Sequence, residues 1–444
     1  MKNIANKKIT ILGSGLSGIG AAKLANYLGA NVLLSDRKSK LSYKLDKNIQ
    51  LELGGHTEKC YNCDLLIISP GINPNCDFIE PIKEKQIPII SEIEFASLFN
   101  KGKIIAITGS NGKSTTVKIV QKILKNKFSN TLMGGNIGIS FSENVLNEIK
   151  NKLTDVIHLL ELSSFQLELI SQFKPDISCF LNLSPDHLDR HLNIDNYFKA
   201  KNNIIKNYSN DDVFLFNEDD AFLNKKYQDC NYLKFSIKNK KNRIFVKDNF
   251  IISDQHEGDI INYNNIKLKG KHNLENLLAA ITITKLMSLS NSQIRRALKD
   301  FHPLNHRLEY ISNKNDILFI NDSKATNIES TIAAIKSSSK KTILILGGYS
   351  KGKIDYKSYL KNHLKNIKHI ICYGEEGKCI YDVVSKLTNC TYIKIFDKAI
   401  LHAIKIAEKN NRVLLSPACS SFDQFKSFQE RGNKFKEIIK HYYI

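Results

Sequence analysis

The sequence has no tryptophan and no apolar run as long as the roughly 18 residues that a membrane-spanning helix needs. Its first residues, MKNIANKKITILG, lack the long apolar core and the cleavage site of a signal peptide. We therefore expect a chain that stays in the cytoplasm, without membrane insertion.

Acidic residues are scarce, since 44 Asp and Glu stand against 65 Lys and Arg, and the formal net charge is +21. Such a charge is typical of nucleic-acid-binding proteins. Here, however, the lysines are scattered along the chain among many Asn and Ile residues. The longest basic stretch, residues 234–247, is predicted to form a hairpin surface. The sequence therefore favours small polyanions as partners over nucleic acid, and a nucleic-acid-stimulated ATPase is kept as an alternative.

The nine cysteines are an odd number and are spread through the chain, so the sequence predicts reduced thiols rather than a disulfide framework. Cys60 and Cys63 form a CxxC pair, but no second pair lies at the spacing of a zinc site. We interpret both as core or surface thiols.

The chain of 444 residues is too long for a single hydrophobic core, and about three domains are expected. Its hydrophobic content of 42% and charged content of 25% are those of an ordinary globular protein. Strand-like and helix-like segments alternate in most of the sequence. This pattern predicts α/β domains with parallel sheets that hold ligands at the carboxyl ends of the strands.

The strongest motif is AITGSNGKSTT at residues 106–116, which follows a short apolar strand and leads into a helical pattern. Backbone N–H groups of such a turn point at a phosphate, Lys113 adds a positive charge, and the Ser114 hydroxyl can ligate magnesium. The spacing departs from the common phosphate loop G-x-x-x-x-G-K-[ST], because the glycines here are Gly109 and Gly112. We predict a nucleoside-triphosphate site at this loop.

A second glycine-rich turn lies near the start of the chain, between the strand KKITIL and a helix. Gly13, Gly15 and Gly18 match the G-x-G-x-x-G fingerprint, and Asp36 follows where an acid would meet a ribose hydroxyl. Taken alone, the pattern predicts a dinucleotide such as NAD. The glycines select only a tight turn and a phosphate at a helix end, however, so any nucleotide diphosphate could use the site.

Two groups near the phosphate loop suit a metal ion. Glu161 ends the apolar strand DVIHLLE, where a magnesium-coordinating carboxylate is expected beside such a loop. His187 and His191 stand at positions i and i+4, a spacing that could hold zinc, but HLDRH lacks the glutamate of H-E-x-x-H. We favour one histidine as a magnesium ligand or a substrate contact.

The rest of the sequence gives coarser predictions. Residues 212–268 contain short alternating segments, which predict an antiparallel excursion. Residues 270–287 have the pattern of an amphipathic helix with a polar start. The last third contains four strand-like runs, each followed by Gly, Ser or Asp, and predicts another doubly wound domain with substrate at the strand ends.

Together these motifs resemble those of the Mur ligases, the ATP-dependent amide-forming enzymes of peptidoglycan synthesis. The most specific pieces, in consistent order along the chain, are TGSNGKST, GGNIG, ELSSFQLE, SPDHLDRH, NDSKATN and SPACSSFDQFKSFQERG. The resemblance implies three α/β domains: an N-terminal Rossmann-like domain over residues 1–95, a central P-loop ATPase-type domain over residues 96–302, and a C-terminal Rossmann-like domain over residues 303–444. They would bind a UDP-linked substrate, ATP and an amino acid, respectively.

The resemblance also implies roles for individual residues. The contacts to the UDP-linked substrate would be Ser14, Gly15, Leu16, Ser17, Asp36, Arg37, Gly71 and Asn136. The contacts to ATP would be Gly109, Ser110, Asn111, Gly112, Lys113, Ser114, Thr115, Asn273, Asn276, Arg307 and Asp322. The metal ligands would be Ser114, Glu161, His187 and, if its amine is carbamylated, Lys201. The contacts to the amino acid would be Lys324, Thr326, Lys351, Ser421, Phe422 and Phe428. Lys113, His187 and Lys201 are expected to act in catalysis.

The last two motifs point to the family member that adds D-glutamate to UDP-N-acetylmuramoyl-L-alanine. In the implied reaction, a substrate carboxylate attacks the γ-phosphate of ATP, and the D-glutamate amine then displaces phosphate from the acyl phosphate. Lys113, Arg307 and two magnesium ions would offset the repulsion between the carboxylate and the triphosphate. A monomer is expected. The alternatives are a sister ligase that adds another amino acid and, much further from the motifs, an NAD-dependent oxidoreductase.

Overall fold

The computed structural model describes residues 3–41, 45–253, 259–268, 270–299, 301, 305–350 and 354–443. These residues form four β-sheets. Three of the sheets are large and mostly or wholly parallel, as the alternation of strand-like and helix-like segments predicts.

The N-terminal sheet has five parallel strands in the order β3-β2-β1-β4-β5. The strands are β1 Lys8–Leu12, β2 Asn31–Asp36, β3 Gln50–Leu53, β4 Leu65–Ile68 and β5 Ile89–Ser91. The helices are α1 Leu16–Tyr27, α2 Glu80–Glu84 and α3 Glu92–Ser97. The chain reverses its direction of travel across the sheet between β1 and β4, so the loops that follow these two strands meet at the point where such folds bind ligands.

The central sheet has six parallel strands in the order β11-β10-β9-β6-β8-β7. The strands are β6 Lys103–Thr108, β7 Thr131–Gly135, β8 Ile157–Glu161, β9 Ile177–Phe180, β10 Val213–Asn217 and β11 Leu233–Phe235. The helices are α4 Lys113–Leu124, α5 Phe141–Lys150, α6 Ser164–Leu167, α7 Leu188–His191, α8 Ile194–Asn202 and α9 Ala221–Tyr227. Because β6 lies between β8 and β9, the loop after it is flanked by the ends of both strands.

A small antiparallel sheet and two helices follow. They are β12 Ile244–Lys247, β13 Phe250–Ser253, β14 Asp259–Asn262, α10 Lys271–Leu286 and α11 Asn291–Lys299. The prediction of an antiparallel excursion over residues 212–268 is correct for these three strands. It is wrong for β10 and β11, which pair in parallel within the central sheet.

Two further expectations for this region are wrong. Residues 234–247 do not form a hairpin, because β11 and β12 belong to different sheets. The helix α10 is not amphipathic, because every residue from Asn276 to Thr284 is buried. A helix apolar on all faces lies inside the protein rather than on its surface.

The C-terminal sheet has six strands in the order β15-β16-β20-β17-β18-β19, with only β15 antiparallel. The strands are β15 Glu309–Lys314, β16 Ile317–Asn321, β17 Thr342–Gly347, β18 Ile367–Tyr373, β19 Cys390–Tyr392 and β20 Arg412–Ala418. The helices are α12 Ile328–Lys336, α13 Tyr356–Leu360, α14 Gly377–Val384, α15 Phe396–Ile406 and α16 Phe428–Tyr443. The four predicted runs are β16, β17, β18 and β20, and sequence analysis missed the two edge strands.

The chain divides into two compact units. One comprises residues 1–183, 193–266 and 273–301, and the other comprises residues 184–192, 267–272 and 302–444. Among the described helices, none combines the length and the apolar character needed to cross a membrane. The three-domain boundaries stay a prediction.

Candidate functional site

The phosphate loop depends on two glycines with backbone angles that other residues rarely adopt. Gly109 has φ of +149° and Gly112 has φ of +86°. A Cβ on Gly112 would lie 2.1 Å from Asn276 Oδ1, so the loop packs directly against α10. The helix α4 begins at Lys113, and its first N–H groups and positive dipole end are therefore available to an anion.

Two lysines converge on one carbonyl oxygen of this loop. Lys113 Nζ donates to Gly109 O at 2.6 Å and to Ser110 O at 2.9 Å. Lys201 Nζ donates to the same Gly109 O at 2.9 Å and lies 4.7 Å from the centre of the Tyr197 ring. Lys201 is only 1% exposed, so it is not the surface lysine that a lysine-rich chain would lead one to expect.

The far side of the loop is held by Asn182, which the sequence analysis did not single out. The Asn182 side chain accepts from Asn111 N–H at 2.8 Å and donates to Asn111 O at 3.1 Å, and the Asn182 carbonyl accepts from Ser110 N–H at 3.0 Å. Its only sequence signal was its position just after the apolar strand β9.

Glu161 at the end of β8 has the environment of a cation ligand. It is 2% exposed, and its Oε1 accepts from Asn136 Nδ2 at 2.8 Å. Among the residues that the structure describes, none donates a hydrogen bond to its buried Oε2. A buried carboxylate oxygen without a donor is costly unless a cation compensates it. The Ser114 hydroxyl at the start of α4 is also buried. The carboxylate of Glu161 and this hydroxyl are oxygen ligands, which Mg²⁺ prefers.

The segment with His187 and His191 belongs to the second compact unit. His187 has φ of +55°, its side chain is 31% exposed, and its Nε2 lies 3.7 Å from Asp186 Oδ2. His191 is buried. Within the described part of the chain, the two histidines do not belong to any group of three metal-ligating side chains, so the zinc interpretation gains no support.

A cavity of about 690 Å³ opens at the carboxyl ends of β1, β2 and β4. Seven of the eight residues predicted to contact the UDP-linked substrate line it, namely Gly15, Leu16, Ser17, Asp36, Arg37, Gly71 and Asn136. The eighth, Ser14, lies behind the wall and donates its hydroxyl to Asp36 Oδ2 at 2.7 Å. The pocket brings these sequence-distant residues together.

The first glycine turn is as tight as the fingerprint requires. Gly13 has φ of +95°, and a Cβ on Gly18 would lie 1.8 Å from Gly13 O. Asp36 stabilises the same turn. Burial raises its pKa, but hydrogen bonds from Lys38 N–H and from Ser14 leave the pKa below its ordinary value. The carboxylate is therefore ionised and already engaged by the protein.

Asn273 and Asn276 are buried residues of α10, and the Asn276 side chain lies against the phosphate loop, as described above. Arg307 and Asp322 lie in the second unit. Asp322 accepts from the Ser416 hydroxyl at 2.9 Å and from Leu308 N–H at 3.1 Å. Burial raises the pKa of Asp322 to about 7, although the Ser416 hydrogen bond and the Arg307 charge oppose this rise.

Five of the six residues predicted to bind the amino acid follow β16 and β20, which are adjacent strands. Lys324 Nζ lies 5.5 Å from the centre of the Phe428 ring. Ser421 is buried, whereas the side chain of Phe422 is 69% exposed. Thr326 lines a cavity of about 260 Å³. Lys351 lies outside the described residues.

Arg431 ties these strand ends together, and sequence analysis missed its role. The fully buried guanidinium donates to Ser323 O, Cys419 O and Ser420 O at 2.8, 3.1 and 3.0 Å, and to the Tyr373 hydroxyl at 3.1 Å. Its Nε–H donates to Ser323 Oγ at 3.0 Å, so all five donors of one planar group are used and fix the loops after β16 and β20. Its signal was the ERG at the end of the last quoted motif.

Comparison with protein families gives three matches along the chain. Residues 8–78 match the MurD N-terminal domain, residues 107–284 the Mur ligase middle domain, and residues 306–419 the Mur ligase glutamate ligase domain. Two curated relatives are named UDP-N-acetylmuramoylalanine–D-glutamate ligase. The one from Christiangramia forsetii is 39% identical, covering 98% of this chain and 99% of the relative. The one from Alkaliphilus oremlandii is 38% identical, covering 98% of this chain and 99% of the relative.

Solved structures show the same fold at lower identity. The pseudomurein peptide ligase type C from Methanothermus fervidus superposes with a TM-score of 0.63 at 20% identity, covering 98% of this chain and 100% of that one. The MurF ligase from Thermotoga maritima in complex with ADP superposes with a TM-score of 0.61 at 16% identity, covering 99% and 97%. These likenesses confirm the predicted three-domain α/β architecture.

Proposed function

The chain belongs to the Mur ligase family, and we propose on that premise that it joins D-glutamate to UDP-N-acetylmuramoyl-L-alanine with consumption of ATP. The observation that carries the proposal is the full-length similarity to ligases named for this reaction, together with the MurD type of the N-terminal domain. The predicted family and activity are confirmed by these matches, and none of them supports an NAD-dependent oxidoreductase.

The first chemical step forms an acyl phosphate. The terminal carboxylate of the UDP-linked substrate attacks the γ-phosphorus of ATP, the bond to the bridging oxygen breaks, and ADP leaves. The phosphate loop, with Lys113 and the first N–H groups of α4, is the anion site that we assign to the triphosphate. Positive charge at this loop reduces the repulsion between carboxylate and triphosphate.

The second step forms the amide. The D-glutamate amine attacks the acyl carbon, loses a proton, and displaces inorganic phosphate from the tetrahedral intermediate. Hydroxyl and ammonium groups suit an anionic amino acid, and Thr326, Ser421 and Lys324 supply them in our assignment. Arg431 would act as a positioning residue because it fixes the backbone of both loops.

Members of this family use magnesium, and Glu161 with Ser114 fits that ion, since no described residue donates to one buried oxygen of Glu161. Bound there, Mg²⁺ would neutralise phosphate charge. The presence of a second ion, and the part of His187 in holding it, stay predictions. Ligation by His187 accords with its partly exposed side chain.

We further propose that Lys201 is carbamylated in the active enzyme. Two ammonium groups that bond to one carbonyl oxygen repel each other, and Lys201 is buried beside Lys113 in this way. Addition of CO₂ converts Lys201 into a carboxylate and relieves this repulsion. A Lys201→Ala variant should lose activity and regain part of it with added short carboxylic acids. The absence of any rescue would count against the carbamate.

The proposed reaction is tested by ADP release with UDP-N-acetylmuramoyl-L-alanine and a panel of amino acids. We expect release with D-glutamate and little with L-alanine, L-glutamate, a diamino acid or a D-alanine dipeptide. Preference for another member of the panel would establish a sister ligase instead. Phosphate release stimulated by DNA or RNA without the muramoyl substrate would favour the nucleic-acid alternative.

A further inference from the structure

One wall of the nucleotide pocket adjoins a polar cluster that the proposed function does not use. Glu52, His56 and Cys60 offer ligand-type atoms that all lie within 4.8 Å of one another. Ser35, on β2, stands among them, with its Oγ 2.7 Å from Glu52 Oε2 and 2.7 Å from His56 Nδ1. Cys60 Sγ donates to the same carboxylate at 3.1 Å. The serine hydroxyl thus joins the carboxylate and the imidazole directly, and hydrogen bonding accounts for the cluster without a metal ion.

These contacts determine which nitrogen of His56 carries the ring proton. Burial raises the pKa of Glu52, but hydrogen bonds from Thr57, Cys60 and Ser35 bring it down to about 2, so the carboxylate is ionised and only accepts. Ser35 has one hydroxyl hydrogen and donates it to Glu52. The Ser35 oxygen must then accept from His56 Nδ1–H, which leaves a lone pair on Nε2.

The imidazole of His56 is neutral and lies beside the nucleotide pocket. Burial and the nearby positive charge of Arg37 lower the pKa of His56, so the imidazole is neutral at pH 7. The ring lines the pocket. Among the described residues, none makes a hydrogen bond to Nε2. Asp36, another acceptor in the wall, already accepts from Ser14 and from Lys38 N–H.

We propose that His56 Nε2 accepts the N3–H of the uracil base and so selects uridine over cytidine nucleotides. The inference rests on the proposed function, which gives this pocket a UDP-linked substrate. The start of α1 takes the diphosphate, and Asn136 and Gln166 of the central domain form the wall that we assign to the sugar. The remaining wall, with Arg37, His56 and Phe78, is left for the base.

The chemistry of the two bases makes this contact selective. Uracil carries a hydrogen on N3, whereas cytosine has a lone pair there. With cytosine, two acceptors, its N3 and His56 Nε2, would face each other without a hydrogen between them. A site built to bond a donor rejects the analogue that lacks it. The Phe78 ring, 5.2 Å from the His56 ring, lines the same wall and offers the base an apolar face.

Calorimetric titration of the full chain with UDP and with CDP tests the assignment. We expect wild type to bind UDP at least about tenfold more tightly than CDP. His56→Phe keeps an aromatic ring but removes the acceptor, so UDP affinity should fall and the ratio should approach one. Ser35→Ala keeps the imidazole but no longer holds the proton on Nδ1. The ratio of UDP affinity to CDP affinity should therefore fall although the ring is intact. His363→Phe makes the same side-chain change in the C-terminal region and should leave the ratio unaltered.

The outcomes separate this inference from the proposed function. If wild type releases ADP with the muramoyl substrate yet binds CDP as well as UDP, or if His56→Phe keeps the wild-type ratio, the role of His56 is overturned and the function stands. If wild type binds neither nucleotide and releases no ADP, the proposed function fails. One zinc ion retained per chain by wild type after dialysis and lost in Cys60→Ser would show that the cluster is a metal site, and would also overturn the assignment.

Discussion

At the scale of single residues, the phosphate loop concentrates positive charge. Lys113 and Lys201 both donate to the Gly109 carbonyl, so two ammonium groups lie at one point of the loop. Concentrated positive charge of this kind attracts an incoming anion. The two lysines are therefore the clearest targets for substitution.

Replacement of Lys113 by alanine should reduce turnover by about 10²–10³-fold or more, because a positioned charge at the transferring phosphoryl group is lost. Binding of the UDP-linked substrate should persist, since Lys113 does not line that pocket. ADP release and calorimetry with the UDP-linked substrate measure the two effects. Lys125→Ala, at the exposed end of the same helix, is the control. Near-normal turnover in Lys113→Ala would refute the role.

A second residue-scale prediction concerns Glu92, which is buried between α3 and α5. Its Oε1 accepts from Ser142 N–H, and its Oε2 has no hydrogen-bond partner within the described part of the chain. Burial raises the pKa of Glu92 to about 7. Because the folded pKa is higher than the unfolded one, the folded state binds the extra proton. The contribution of Glu92 to stability is therefore fully present below about pH 4.5 and is lost as the pH rises towards 7.

Glu92→Gln removes this dependence. Between pH 5 and pH 8 the free energy of unfolding of wild type should fall relative to that of the variant, by at most about 3 kcal/mol. Urea denaturation at both pH values measures the difference. A difference between the two proteins that stays constant with pH would contradict the prediction.

At the scale of the element, the conformation of the loop between β6 and α4 depends on its contact with α10. Gly112 has positive φ, and a methyl group there would collide with Asn276. Gly112→Ala should destabilise the protein by about 1–3 kcal/mol and weaken ATP binding more than UDP-substrate binding. Thermal unfolding and nucleotide titration test this. Gly55→Ala, where an added Cβ meets nothing within 4 Å, is the matched control, and equal effects of the two changes would rule out the contact.

Sequence patterns predicted those parts of the fold that depend on local chemistry. The turns at Gly13 and Gly109, and Glu161 at the end of an apolar strand, follow from residues next to one another in the chain. Strand pairing does not, because it joins distant segments. The segment VFLFN is compatible with either an antiparallel or a parallel neighbour, and only its position beside β9 makes it a parallel strand.

The candidate site was predictable to a similar extent. Motif spacing identified Lys113 and Glu161, but nothing local distinguishes Lys201 from the many other lysines of a chain with 65 Lys and Arg. Its burial depends on the placement of α8 under the loop. Asn182 bonds to a loop 71 residues earlier in the chain, and Arg431 bonds to a loop 108 residues earlier. The short local signals at these two residues do not indicate such distant partners.

At the scale of the whole molecule, most of the residues that we assign to ligand binding follow the carboxyl ends of neighbouring strands in the three large sheets. The resemblance across the chain was more informative than any single motif, because the N-terminal fingerprint alone predicted NAD. The same glycine turn serves any diphosphate. We assign the distinction between NAD and a UDP-linked substrate to the side chains around the turn, including Arg37 and Asn136, which line the cavity.

The hydrogen bond between Asn136 and Glu161 gives the molecule a further property. Asn136 lines the sugar-nucleotide pocket and also donates to the carboxylate that we assign to magnesium. A substrate that bonds to the Asn136 amide changes the charge environment of Glu161. Occupancy of the pocket and affinity for the cation are then linked variables, and each must alter the other by the same factor.

We expect the UDP-linked substrate to change the Mg²⁺ affinity about fivefold or more in wild type, and Asn136→Ala to bring this factor close to one. Magnesium titrations with and without the substrate, and substrate titrations with and without magnesium, measure the same quantity from both directions. If the substrate changes the Mg²⁺ affinity of the variant as much as that of wild type, the linkage depends on another contact. With this linkage present, the fraction of enzyme that holds Mg²⁺ depends on the concentration of the sugar nucleotide.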